Sequence, residues 1–284
     1  MLSEVRRGSR LVLVLFLLLG AAVMPGCAAT GRSSTDVTTR HPLDPARLAV
    51  RIDGAQTVVD GASGSARRLR KAARSEQLAF RQLADHPRLR RSTLMRLSPP
   101  ARSAAAAALR AAGALSKIVP TEHRFPDWRI VTPPPPKLLL TYFQTAASTY
   151  KLRWQYLAAV ELVETRMGRI RGLSPAGAKG PMQFMPATWA EYGRGSINNQ
   201  HDSIMAAARF LAADGGHRNI ADALLHYNPS QSYVAAVEAY AREMRRDRRA
   251  FYGYYNWQVL YRTTKGTFLL PVGYPRVPPQ RLPG

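Results

Sequence analysis

Glu164 stands near the end of residues 156–168, a segment in which Tyr156, Val160, Val163 and Met167 recur at helical spacing and form an apolar stripe. Residues 170–180 follow as a loop carrying Gly172, Gly177 and Gly180, and Met182-Gln183-Phe184-Met185 then places one amide in an apolar run. Farther along stands His226-Tyr227-Asn228. A glutamate at a helix end, a glycine-rich loop, a lone amide among apolar side chains and a distant Tyr-Asn pair can together line a cleft for a sugar. Burial in such a cleft keeps a carboxyl group protonated and able to donate, while amides hold hydroxyl and acetamido groups.

Each of these residues also has a plain structural use. Gln183 and Asn228 can satisfy backbone groups in loops, the ordinary task of a buried amide. Met182 and Phe184 fit a core as well as a cleft wall. Thr165 and Ser174 can orient a carboxyl group or cap a helix and a loop. Trp189 and Trp257 can stack on sugar rings, although burial is the commoner fate of tryptophan. Residues 177–180 lack the Gly-Lys-Ser/Thr ending of a phosphate loop. The histidines are scattered with no His-Glu-x-x-His, so neither a metal site nor a cofactor is expected.

In combination the segments resemble the goose-type-lysozyme-like (SLT-type) domain of bacterial lytic murein transglycosylases. Glu164-Thr165 is similar to that family's Glu-Ser. Ser174-Pro175-Ala176-Gly177-Ala178-Lys179-Gly180-Pro181-Met182-Gln183 is similar to its Ser-Pro-x-Gly-Ala-x-Gly-Leu-Met-Gln, and Tyr227-Asn228 to its Tyr-Asn. The resemblance spans residues 138–244. It departs at Thr165 for Ser, at Pro181 for Leu, and at Asn228-Pro229-Ser230, where the family continues Asn-Ala-Gly.

The resemblance implies cleavage of the β-1,4 bond between N-acetylmuramic acid and N-acetylglucosamine in peptidoglycan, with a 1,6-anhydro end as product. Glu164 would be the single acid and base. Thr165, Ser174, Met182, Gln183, Tyr227 and Asn228 would contact or shape the substrate site. Two other outcomes fit the same residues: a hydrolytic muramidase, and a murein-binding scaffold lipoprotein without catalysis. Glu161 is the obvious second acid, yet at i,i+3 it shares a helix turn with Glu164, whereas a nucleophile or base would approach the opposite face of the sugar. Glu161 is therefore expected to be solvent-exposed or salt-bridged.

The elements that must position these groups are legible from periodicity and breakers. Residues 45–120 are a helical region rich in Arg and Ala, interrupted at 61–64, at His86-Pro87 and at Ser98-Pro99-Pro100. Residues 121–136 end in four prolines and form a stiff connector. Residues 137–250 hold about six helical segments, with Asp202-Ser203 as one N-cap and Gly215-Gly216 as a stop. Residues 251–284 are rich in aromatics, with 259–263 and 267–270 as a hairpin. The expected fold is mainly α: an α+β lysozyme-like catalytic domain with an N-terminal helical region and a short C-terminal β-hairpin.

Composition restricts the setting. The net charge of +23 across 284 residues suits an anionic partner, and the single cysteine excludes an intrachain disulfide. Residues 1–26 run from Arg6, Arg7 and Arg10 through an apolar stretch to small residues, the layout of a secretory signal peptide too short to span a bilayer. Cys27 closes Val23-Met24-Pro25-Gly26-Cys27, which resembles a lipobox, and residues 27–44 form a flexible tether. The expected protein is exported and lipid-anchored through Cys27 in the bacterial cell envelope. Its expected partners are peptidoglycan strands and the membrane, not nucleic acid.

Overall fold

The computed structural model describes residues 43–61 and 65–283. The signal peptide, Cys27 and nearly all of the tether fall outside the described residues. Four helices come first: α1 (Pro45–Asp60), α2 (Ala66–Asp85), α3 (Pro87–Arg96) and α4 (Pro99–Leu115). Their starts follow local chemistry. The Asp44 carboxylate accepts from the amides of Ala46 and Arg47, Ser65 accepts from Arg68, and proline occupies the first turn of α1, α3 and α4. On α4 the buried face is alanine (Ala101, Ala104, Ala105, Ala108, Ala111), so a neighbouring helix can approach closely.

After β1 (Arg129–Ile130) come α5 (Pro136–Thr149), α6 (Trp154–Thr165), β2 (Ile170–Arg171), α7 (Pro186–Tyr192), α8 (Gln200–Ala213), α9 (Ile220–Tyr227), α10 (Gln231–Arg246) and α11 (Ala250–Tyr255). The N-cap of α8 is Asn199, whose side chain accepts from Asp202 N, and not Asp202-Ser203. Asp202 instead lies in the first turn, where a carboxylate suits the helix dipole. Gly215 and Gly216 do terminate α8, with Gly215 at φ 77°. The chain closes with β3 (Val259–Thr263), β4 (Gly266–Leu270) and β5 (Gln280–Arg281), an antiparallel sheet whose hairpin pairs Thr263 with Gly266. The mainly α fold with a short C-terminal hairpin is what the sequence led us to expect.

One apolar core runs from α1 through α11, and α4 packs against α10. The N-terminal helices are thus built into the body that carries the site. Trp257 is fully buried at this junction, edge-to-face with Phe80 of α2, Tyr240 of α10 and Tyr254 of α11. It stacks on no sugar. The Gln77 side chain brackets the same corner, accepting from Gln258 N and donating to Gln258 O.

A smaller core holds Trp128, Ile130, Ile170, Leu260, Leu269 and Tyr274 beneath the sheet. Through it the proline-rich connector is fixed along its length. Ile130 N donates to Tyr274 O, Val131 N to Arg169 O and Thr264 N to Glu122 O. These bonds bring the connector and the C-terminal sheet to the segment just after α6.

Candidate active site

The apolar stripe of α6 is broader than its spacing suggests, because every residue from Leu157 to Thr165 is buried. The helix also ends at Thr165, three residues before the end expected from periodicity. Arg166, Met167 and Gly168 take left-handed backbone angles (φ 55°, 61° and 74°), and Met167 N returns to Glu161 O at 3.2 Å. Two consecutive non-glycine residues in this region carry strain that surrounding contacts must hold. The Arg166 guanidinium lies over the Trp257 ring, and Arg169 donates to Trp257 O at 3.1 Å and to Tyr255 O at 2.6 Å. An added Cβ at Gly168 would stand 2.5 Å from Gln200 Oε1, so the turn is also pressed against α8.

Glu164 occupies the last turn of this pinned helix and is 4% exposed. Burial pushes its carboxyl up to about 8, so the acid form predominates at neutral pH. Tyr233 of α10 opposes the shift by favouring the carboxylate, although its hydroxyl sits outside normal hydrogen-bond geometry and has no other partner.

The loop 174–184 folds onto the same helix end. Ser174 makes it compact: its hydroxyl accepts from Ala178 N, its amide donates to Ala178 O, and its carbonyl accepts from Gly177 N. Gly180 (φ 77°) passes so close to Ile197 that a Cβ would lie 1.9 Å from the Ile197 carbonyl oxygen. The Thr165 hydroxyl accepts from Gly168 N and donates to Pro181 O, joining loop to helix. Thr165 and Ser174 thus spend their hydroxyls on backbone. Met182 is fully buried in the main core, and its carbonyl accepts from the Tyr227 hydroxyl at 2.5 Å.

Gln183 and Asn228 differ from these. Gln183, at φ 50°, donates through Nε2 to Gly180 O but leaves Oε1 buried without a partner. Asn228 ends α9 with its Oδ1 likewise unsatisfied. Buried unpaired acceptors are costly and uncommon, and a ligand that donates would relieve both. The Pro229-Ser230 departure produces a tight corner: Ser230 N donates to Asn228 O at 2.7 Å and the Ser230 hydroxyl caps α10 at Tyr233 N. That cap sets Tyr233 beside Glu164. Trp189, half-buried, packs its edge on Phe184.

Glu161 is corrected by the structure. It is fully buried, neither solvent-exposed nor salt-bridged: Oε1 accepts from Gln200 Nε2 and Oε2 has no partner. Burial raises its carboxyl well above the usual range, with Arg171 opposing. Gln200 Oε1 in turn accepts from Arg171.

Sequence reasoning missed Tyr233, Gln200, Arg166 and Arg169. Tyr233 begins an ordinary-looking core stripe with Val237, Tyr240 and Met244, so nothing marked it. Arg166 and Arg169 carry no sequence signal of burial, and only their contacts with Trp257 and Tyr255 reveal them as buried anchors. No group of three or more His, Cys, Asp or Glu side chains placed to hold a metal occurs among the described residues.

Residues 141–250 match the family model described as the transglycosylase SLT domain. No curated protein and no solved structure gives a significant match.

Proposed function

We propose, from the match of residues 141–250 to the transglycosylase SLT domain, that this protein cleaves the β-1,4 bond between N-acetylmuramic acid and N-acetylglucosamine and leaves a 1,6-anhydro end. Members of that family are lytic transglycosylases acting on peptidoglycan. The observation that carries the finer reading is the environment of Glu164: a buried carboxyl raised to about 8, on a helix end that Thr165 ties to the loop bearing Gln183. Protonated Glu164 gives its proton to the glycosidic oxygen as the bond to the anomeric carbon breaks. The resulting carboxylate takes the proton from the sugar's own C6 hydroxyl, whose oxygen closes on that carbon. One group thereby performs both transfers and ends as it began.

Glu161 is fully buried and engaged by Gln200, which supports a mechanism without a second carboxylate. Gln183 Oε1 and Asn228 Oδ1 accept hydrogen bonds from sugar hydroxyl or acetamido N–H groups, and Tyr227 keeps the Met182 carbonyl in place. The exported, Cys27-anchored location belongs to the same reading, because it puts the site where peptidoglycan is. The deciding experiment is mass analysis of the products from purified sacculi. Anhydro-muropeptides from the wild type and none from Glu164→Gln are the expected result. Products heavier by one water would assign a hydrolytic muramidase, and sacculus binding without release would assign a scaffold.

A further inference from the structure

A cavity of about 770 Å³ that Glu164 does not line opens beside the glycine loop. Its walls include Asp127, Arg129, Arg171, Lys179, Gly180 and Asn198, so part of it is built by the connector, outside the family match. Arg129 and Arg171 are direct partners across the antiparallel β1–β2 pair, which puts both side chains on one face. Like charges directly opposite each other destabilise a strand pair. Neither forms an ion pair among the described residues: Arg171 donates to Asn198 O at 3.0 Å and to Gln200 Oε1, with the buried Glu161 carboxyl beyond Gln200 as its acidic neighbour, and Arg129 and Lys179 pair with no carboxylate. Asp127 lines the cavity without bridging to any of the three.

An anion seated between Arg129 and Arg171 converts that repulsion into two attractions, and Lys179 adds a third. The cavity shares Asp127 and Leu173 with a groove of about 420 Å³ whose larger walls are Phe125, Trp128 and Tyr261, with Glu122 and Arg124 at its margin. A compact phosphate has no use for an apolar extension, whereas a short peptide bearing carboxylates fills both parts. We infer that this cavity binds the free carboxylates of the peptides that branch from the glycan, as a site separate from the Glu164 cluster. The inference deepens the reading of the protein as a peptidoglycan enzyme and rests on it for the identity of the ligand. Gly180 joins the two sites, since it lines the cavity while its carbonyl accepts from Gln183.

The test titrates the stem tetrapeptide, released from sacculi by an amidase, into the full chain carrying Glu164→Gln. Binding is expected, about tenfold weaker in Arg129→Ala and in Lys179→Ala, retained in Arg129→Lys, and lost when the peptide carboxylates are amidated. Absence of binding, equal binding by the Arg129→Ala and Lys179→Ala proteins, equal binding of the amidated peptide, or equally tight binding of inorganic phosphate would each overturn the assignment. A second arm compares sacculi with peptide-stripped glycan strands as substrates. Arg129→Ala is expected to raise KM on the former alone, and an equal change on both overturns the site. Peptide binding without any cleavage by wild type would sink the enzymatic reading and leave this cavity assigned; cleavage without peptide binding would do the reverse.

Discussion

The Thr165 hydroxyl donates to the Pro181 carbonyl at 2.5 Å and accepts from Gly168 N, so the residue after Glu164 ties the helix end to the glycine loop. Threonine keeps the hydroxyl of the serine it replaces in the family pattern, and the bond is backbone-directed. Thr165→Val should leave buried backbone groups unpaired and cost about 2 kcal/mol, seen as a lower denaturant midpoint, while Thr165→Ser restores it. If Thr165→Val loses no stability, the hydroxyl is not the tie.

Glu164 makes opposite demands on activity and stability. With its folded value near 8 and an unfolded value near 4.5, the native state holds a proton that the unfolded state releases between those limits. Stability contributed by the protonated group is complete below about 4.5 and declines as pH rises towards 8. Glu164→Gln should therefore be more stable than wild type by about 3 kcal/mol at pH 7 and by almost nothing at pH 4, measured by denaturant unfolding. Its release of muropeptides should fall about a thousandfold.

The wild-type pH profile follows from the same group. The free enzyme must start protonated, so kcat/KM should hold through neutrality and fall about tenfold per pH unit above 8. A profile that instead rises from pH 6 to 9 would exclude Glu164 as the initiating acid.

Glu161 is held neutral by burial, and an amide can mimic a protonated carboxyl. Glu161→Gln should preserve turnover, change stability by less than about 1 kcal/mol at pH 4, and stabilise at pH 7, where the unfolded glutamate would ionise. Glu161→Ala strips Gln200 of its acceptor and opens a void beside α6, at a cost of about 3 kcal/mol. Loss of turnover in a fully folded Glu161→Gln protein would restore it as a second catalytic carboxyl.

Gly180 has no room for a side chain. Gly180→Ala combines a positive φ with a Cβ 1.9 Å from the Ile197 carbonyl, and should destabilise by about 3 kcal/mol while raising KM through displacement of Gln183. Gly177→Ala meets no atom within 4 Å and bears only the backbone cost, so its loss should be visibly smaller.

The chain by itself determined the helices whose caps and breakers are local: Pro87 and Pro99 opened helices, Gly215 closed one, and Thr264-Lys265 turned the hairpin. It also determined the chemistry-bearing segments, because Glu164, the loop from Ser174 to Gln183 and Tyr227-Asn228 carry side-chain types whose order can be recognised without knowing where they meet. Tertiary structure alone decided what burial does to each group. Glu161 and Glu164 are three residues apart on one helix, yet one is enclosed against Gln200 and the other faces Tyr233. It likewise made Arg166 and Arg169 into anchors under Trp257 and Tyr255. Periodicity records which residues avoid water on average, but a carboxyl's proton and an arginine's partner depend on segments brought together from far along the chain.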